Sequence, residues 1–121
     1  MTDQKFIQHV FKKDRYVNAR GGNSHFLDLF CSKCNKHLVL YQKDGHGRLL
    51  RIYLDRIFEP QEFAFLNLRI SDKAEMSNLV CQQCKALVGV PMIYESEGRL
   101  AFRLIYGSFL KRKSQGIYFS F

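Results

Sequence analysis

Cys31-Ser32-Lys33-Cys34 and Cys81-Gln82-Gln83-Cys84 contain every cysteine of this 121-residue chain, and 46 residues separate the two pairs. Each pair leads into a similar stretch. After the first come the apolar run Leu38-Val39-Leu40-Tyr41, a turn and Gly47-Arg48-Leu49; after the second come Leu87-Val88, a turn and Gly98-Arg99-Leu100. The unit is Cys-x-x-Cys, strand, turn, strand, and it occurs twice. A Cys-x-x-Cys at a tight turn holds two sulfurs at metal-ligand spacing, and two such turns complete a tetrahedral four-thiolate site of the structural zinc type. Cys31, Cys34, Cys81 and Cys84 are therefore the expected ligands of one structural Zn²⁺. Two disulfides, an iron–sulfur site and redox-active thiols are the competing readings, and His37, three residues after Cys34, leaves a Cys₃His site open. Asn35 suits the left-handed backbone such a turn needs at its exit, and Lys85 stands at the matching place. Lys33, Lys36 and Lys85 lie where they offset the negative charge of the thiolates.

Outward from these pairs the chain reads as mainly β. Phe26 to Phe30 and Leu38 to Tyr41 are short apolar runs. Asp44-Gly45 offers a hairpin turn, from which Arg48 to Leu54 is expected to return along its own partner. Glu59-Pro60 breaks the chain. Phe63 to Ile70 alternates as a strand does. Pro91 within Leu87 to Tyr94 requires an edge or a bulge, and Ile117 to Phe121 offers a last strand. The expected organisation is a basic arm over 1–24 and a Cys₄ zinc-binding β domain over 25–121. Phe6, Ile7, Val10 and Phe11 give the arm the spacing of a short amphipathic helix, and Arg20-Gly21-Gly22 reads as a turn or linker.

This architecture resembles the β-tent group of zinc folds, which includes methionine sulfoxide reductase B, the Yippee proteins and the ligand-binding domain of cereblon. The resemblance spans roughly residues 26–106 and rests on the two Cys-x-x-Cys pairs, each leading into a β-hairpin. It implies a zinc-ligand role for Cys31, Cys34, Cys81 and Cys84. A zinc ribbon is the alternative fold. The group's active-site features are missing: the late strand carries Arg103-Leu104-Ile105 where the reductases have a further cysteine, Gly89-Val90-Pro91-Met92 replaces the Yippee Gly-Trp-x-Tyr stretch, and the chain has no Trp for a cereblon-like cage.

Composition narrows the function. Lys and Arg number 19 against 11 Asp and Glu, a net charge of +8. Residues 1–24 and 99–121 hold the whole excess, since 25–98 carry nine charges of each sign. One-signed flanks point to an anionic partner. The candidates for nucleic-acid contact are Lys12, Lys13 and Arg15 in the arm, Arg51, Arg99 and Arg103 on the return strands, and Lys111, Arg112 and Lys113 near the end. The opposing reading has Tyr53 and Phe102 in the core and the arginines paired with Asp55 and other acids. Seventeen Phe and Tyr residues exceed what a small core needs, so a protein partner or homodimer is the second class, with Ile117 to Phe121 as its segment. A thiol redox enzyme is the third. No nucleophile elbow is present, Asp28 and Asp55 at strand edges are the one carboxylate pair left open, and a closed Cys₄ zinc has no open position for water, so the reading leans away from an enzyme. No apolar run reaches bilayer length and no signal peptide precedes the domain, which together point to a cytoplasmic protein.

Overall fold

A computed structural model describes residues 5–120, with side chains described for 7–117. The fold is mainly β, built on two four-stranded antiparallel sheets. In the first, β2 (Ser24–Cys31) lies between β3 (His37–Asp44) and β9 (Phe109–Ser114), and β5 (Ile57–Glu59) flanks β3. In the second, the order is β4 (Arg51–Tyr53), β8 (Arg99–Leu104), β7 (Leu87–Tyr94) and β6 (Leu79–Val80). A separate ribbon pairs β1 (Lys5–Gln8) with β10 (Ile117–Ser120).

Each Cys-x-x-Cys is itself the turn of a hairpin. β2 ends at Cys31 and returns as β3, and β6 ends just before Cys81 and returns as β7. The two sheets thus each begin from a knuckle. The second unit continues as the sequence suggests, with β7 paired to β8 from Gly89↔Leu104 to Tyr94↔Arg99. The first does not. After the turn at Gly45, Arg51–Tyr53 crosses to the other sheet and pairs with β8, while β5 takes the place beside β3. The side chains account for the crossing: Ile52 and Leu54, both fully buried, join the core between the sheets with Leu29, Val39, Val88 and Phe102. Pro91 lies in the part of β7 beyond β6, where β8 is the neighbour on one side alone, as its missing N–H allows.

Two further expectations are corrected. Phe63 to Ile70 is not a strand; α1 (Glu62–Arg69) is a helix. The segment is apolar at so many positions that a period of two and a period of 3.6 both fit. Phe63, Leu66 and Ile70 pack on the core while Phe65 and Leu68 are exposed, the pattern of one helical face. The arm's start is not a helix either: Lys5–Gln8 forms β1, because β10 offers an edge to pair with and an isolated helix this short is marginal in water. The arm also lies against the sheets. The backbone N–H of Lys12 donates to Gln42 Oε1 at 2.7 Å, Phe11 stacks on Phe26, and His9 Nε2 meets Glu59 at 2.9 Å. Phe121 lies outside the described residues.

Candidate metal centre and the cationic cluster

The knuckles are twins in backbone detail. Cys31 N–H donates to Lys36 O and Asn35 N–H to Cys31 O; Cys81 N–H donates to Ala86 O and Lys85 N–H to Cys81 O, all at 2.8–2.9 Å. Asn35 and Lys85 close the loops at φ 63° and 66°, the left-handed region expected at both. This geometry turns backbone N–H groups toward the first sulfur of each pair. Those of Cys34 and Lys33 lower the pKa of Cys31, and those of Cys84 and Gln83, against the opposing effect of burial, bring Cys81 down to about 6. Cys31 and Cys81 are thereby readied as thiolates, while at Cys34 the Lys36 N–H is outweighed by burial and the neighbouring sulfurs, which push that thiol up to about 12.

The four sulfurs converge. Every pair of ligand atoms from Cys31, Cys34, Cys81 and Cys84 lies within 4.8 Å, with Cys31 to Cys84 at 3.6 Å and Cys34 to Cys81 at 3.4 Å. A tetrahedron with metal–thiolate bonds of about 2.3 Å has edges of about 3.8 Å, so the cluster fits one tetrahedral ion. His37 is not part of it: its Nε2 meets Asp28 Oδ1 at 2.8 Å. Lys33, Lys36 and Lys85 are exposed around the site, and Lys85 Nζ donates to Gln82 O.

The basic residues named from the sequence part company. Lys12, Lys13, Arg15, Arg103, Lys111, Arg112 and Lys113 are exposed. Arg15 donates to Tyr16 Oη at 2.6 Å. Arg99 is the correction: it is only 5% exposed, its Nη2 meets Asp55 at 2.7 Å and its Nη1 meets Glu97 at 2.9 Å. A guanidinium so enclosed and paired has no face left for a macromolecule. Tyr53 and Phe102 are also buried. Arg51 is half-buried, lies over the Tyr94 ring at 4.4 Å and donates to Tyr53 Oη at 3.2 Å.

Arg99 belongs to an alternating stack of cations and phenol rings that sequence reasoning missed. Its guanidinium lies 3.7 Å from the Tyr53 ring centre and 4.1 Å from that of Tyr16. Arg20, read as part of a linker, lies over Tyr53 and Tyr94 and meets Glu97 at 3.2 Å. Beside the stack, Arg56 is 1% exposed and holds Asp44 at 2.7 Å and Asp14 at 2.7 Å. That hydrogen bond draws the Asp14 carboxyl down to about 2, although partial burial opposes the shift. Burial disfavours the Arg56 cation, but the hydrogen bonds to Asp14 and Asp44 outweigh it and raise its pKa. The partners of Arg56 lie 42 and 12 residues away in sequence, and no local motif announces them.

Among the described residues, no helix is long and apolar enough to cross a membrane. No family model, no curated protein and no solved structure matches the chain, so the four-cysteine cluster itself carries its reading as a metal-binding β fold.

Proposed function

We propose that the chain is a zinc-stabilised, non-catalytic binding module of β-tent type that contacts nucleic acid through its basic edge. Zinc is favoured because four thiolates in tetrahedral array suit its charge and softness. A reducing, cytoplasmic setting keeps those thiols available to it.

The observation that supports nucleic acid is edge strand β9. Lys111, Arg112 and Lys113 are consecutive there, all exposed, and none has a carboxylate at ion-pair distance among the described residues. With Lys43, His25 and His46 they border an open depression of about 430 Å³. Lysine on an edge strand also discourages strand addition, but that purpose does not require neighbouring cations to gather around one hollow. A titration of metal-loaded protein against generic RNA and duplex DNA tests the reading. Several phosphate contacts should weaken binding by orders of magnitude between roughly 50 and 200 mM salt. Replacing Lys111, Arg112 and Lys113 together by Gln should abolish it with the fold intact. Salt-independent binding, or none at low salt, refutes it.

One observation favours a second reading. An adjoining groove of about 490 Å³ is apolar, with Leu49, Leu50, Leu104, Phe109 and Leu110 in its walls, and Tyr106 beside it is 92% exposed. This is the chemistry of a protein partner or a second copy. Salt-tolerant association lost on Leu110→Asp would select it. The redox alternative requires a free thiol in the zinc-loaded protein, and alkylation of any cysteine there would revive it.

A further inference from the structure

A small cavity of about 70 Å³ lies where the two sheets face the turn at Gly45, and Arg20, Lys43, Arg48, Arg51 and Arg99 line it. That volume holds a few waters or one tetrahedral oxyanion. Asp44 is the sole carboxylate in the lining, and it is already engaged: Oδ1 accepts from Ser24 and Gln42, and Oδ2 from Arg56. Asp55 and Glu97 engage Arg99, and Glu97 also engages Arg20. Lys43, Arg48 and Arg51 are left without a carboxylate partner among the described residues.

Two phenols complete a lining of donors. Tyr53 Oη accepts from Arg20 at 2.7 Å and from Arg51 at 3.2 Å, and Tyr41 Oη accepts from the Tyr53 N–H at 3.0 Å. Both rings are buried, and each hydroxyl oxygen is the acceptor in these bonds, which leaves its own proton to donate. Lys43 is buried as well, and one of its three N–H groups is used, on Gly45 O at 2.9 Å. Its pKa is lowered by burial and by the neighbouring charges of Lys111 and Arg20, which together outweigh the opposing charge of Asp44. A buried ammonium facing further cations is costly unless an anion joins them.

We propose that this cavity binds a phosphate-type oxyanion, either inorganic phosphate or the terminal phosphate of a phosphorylated ligand. It is too small for an internal phosphodiester with both flanking nucleosides; it shares Lys43 and His46 with the β9 depression, but Lys111, Arg112 and Lys113 do not line it.

Isothermal titration of metal-loaded protein in a chloride buffer free of oxyanions tests the proposal. The probes are inorganic phosphate, a 5′-phosphorylated dinucleotide and the same dinucleotide without that phosphate. One site per chain is expected. Arg51→Gln should weaken it by roughly 10- to 100-fold, the effect of losing one charge-assisted hydrogen bond. Lys43→Gln should do the same. Where that buried substitution impairs folding, exposed Arg48→Gln replaces it. Saturable binding of inorganic phosphate, reduced in these variants, supports the site with the free ion as ligand. Preference for the 5′-phosphorylated probe, equally reduced, supports it with a terminal phosphate. The Lys111→Gln, Arg112→Gln, Lys113→Gln variant should keep phosphate affinity, which separates this site from the nucleic-acid surface. Absence of binding by both phosphate probes, or binding unchanged in the cavity variants, overturns the proposal.

Discussion

Arg56 joins the N-terminal arm to the first sheet, and its replacement by Met makes a quantitative test of that role. Its guanidinium makes three hydrogen bonds of 2.7–3.0 Å, one to Asp44 and two to Asp14. Met conserves most of the volume and removes the charge. Asp44, with a side chain only 5% exposed, would keep its bonds from Ser24 and Gln42 but lose its counter-charge. Removing one member of a buried pair costs about 3–5 kcal/mol because the remaining charge is stranded. Asp14 is 39% exposed at its side chain, so water takes over much of its loss and it adds little. With a urea dependence of about 1–3 kcal/mol per molar for a small domain, the midpoint should fall by about 2 M. The chain has no Trp, so circular dichroism is the probe. Adding Asp44→Asn to Arg56→Met should recover part of the loss, since a neutral amide can keep accepting from Ser24. Limited proteolysis between residues 12 and 22 should accelerate in the single variant. A midpoint shift under about 0.5 M, or an arm as protected as before, would show that Arg56 does not fasten the arm.

The metal site, two turns and the acid cluster give further expected outcomes. Chelation should unfold the domain, because structural metal contributes roughly 10–16 kcal/mol and a domain's whole stability is about 5–15 kcal/mol; retention of the β spectrum after complete metal loss would contradict this. Lys85→Gly should raise the melting temperature by the equivalent of about 1 kcal/mol, since a non-glycine residue at φ 66° is strained. Gly45→Ala should destabilise, because its Cβ would meet the backbone oxygen of Arg20, and normal stability with Arg20 still on Glu97 would refute that close approach. In acid, the depressed Asp14 carboxyl stabilises the fold fully above its unfolded value near 3.8 and loses that contribution as pH falls toward about 2. Asp14→Asn should therefore flatten the stability profile in that window and leave neutral pH lower by about 1 kcal/mol, after discounting for exposure.

The cysteine pairs were legible in the sequence because metal coordination is a local rule: two sulfurs at one turn, the positive φ after them, and a second copy elsewhere. Asn35 and Lys85 occupy the conformation their position implies. The strands next to the knuckles were legible for the same reason. Legibility ended where partners were distant. Gly47-Arg48-Leu49 matches Gly98-Arg99-Leu100 in sequence, yet one leads across to the other sheet and the other back along its own, because burial of Ile52 and Leu54 between the sheets determines the path. Phe63 to Ile70 satisfied two periods at once. Arg99 and Arg103 are both arginines on β8, but Asp55 and Glu97 enclose the first and solvent bathes the second. No spacing in the sequence distinguishes them.

The fold is held at two places along one hairpin. Cys31 and His37 stand at the knuckle end of β2 and β3, and Ser24 and Asp44 at the other. Seven residue steps at about 3.3 Å put these ends roughly 23 Å apart. One end carries the four-sulfur cluster, the expected metal site, and the other Arg56, Asp14 and Asp44. Clamps at that distance with no shared partner should act independently, so the Lys85→Gly gain and the Arg56→Met loss should sum to within about 0.5 kcal/mol in the double variant. Hydrogen exchange gives the spatial counterpart: Arg56→Met should hasten exchange at residues 12–24 while amides at Cys31 and Cys81 stay protected. A coupling well above about 0.5 kcal/mol, or loss of protection at both ends from one substitution, would mean that the sheets transmit strain along the hairpin and that the metal and the ion cluster form one cooperative device.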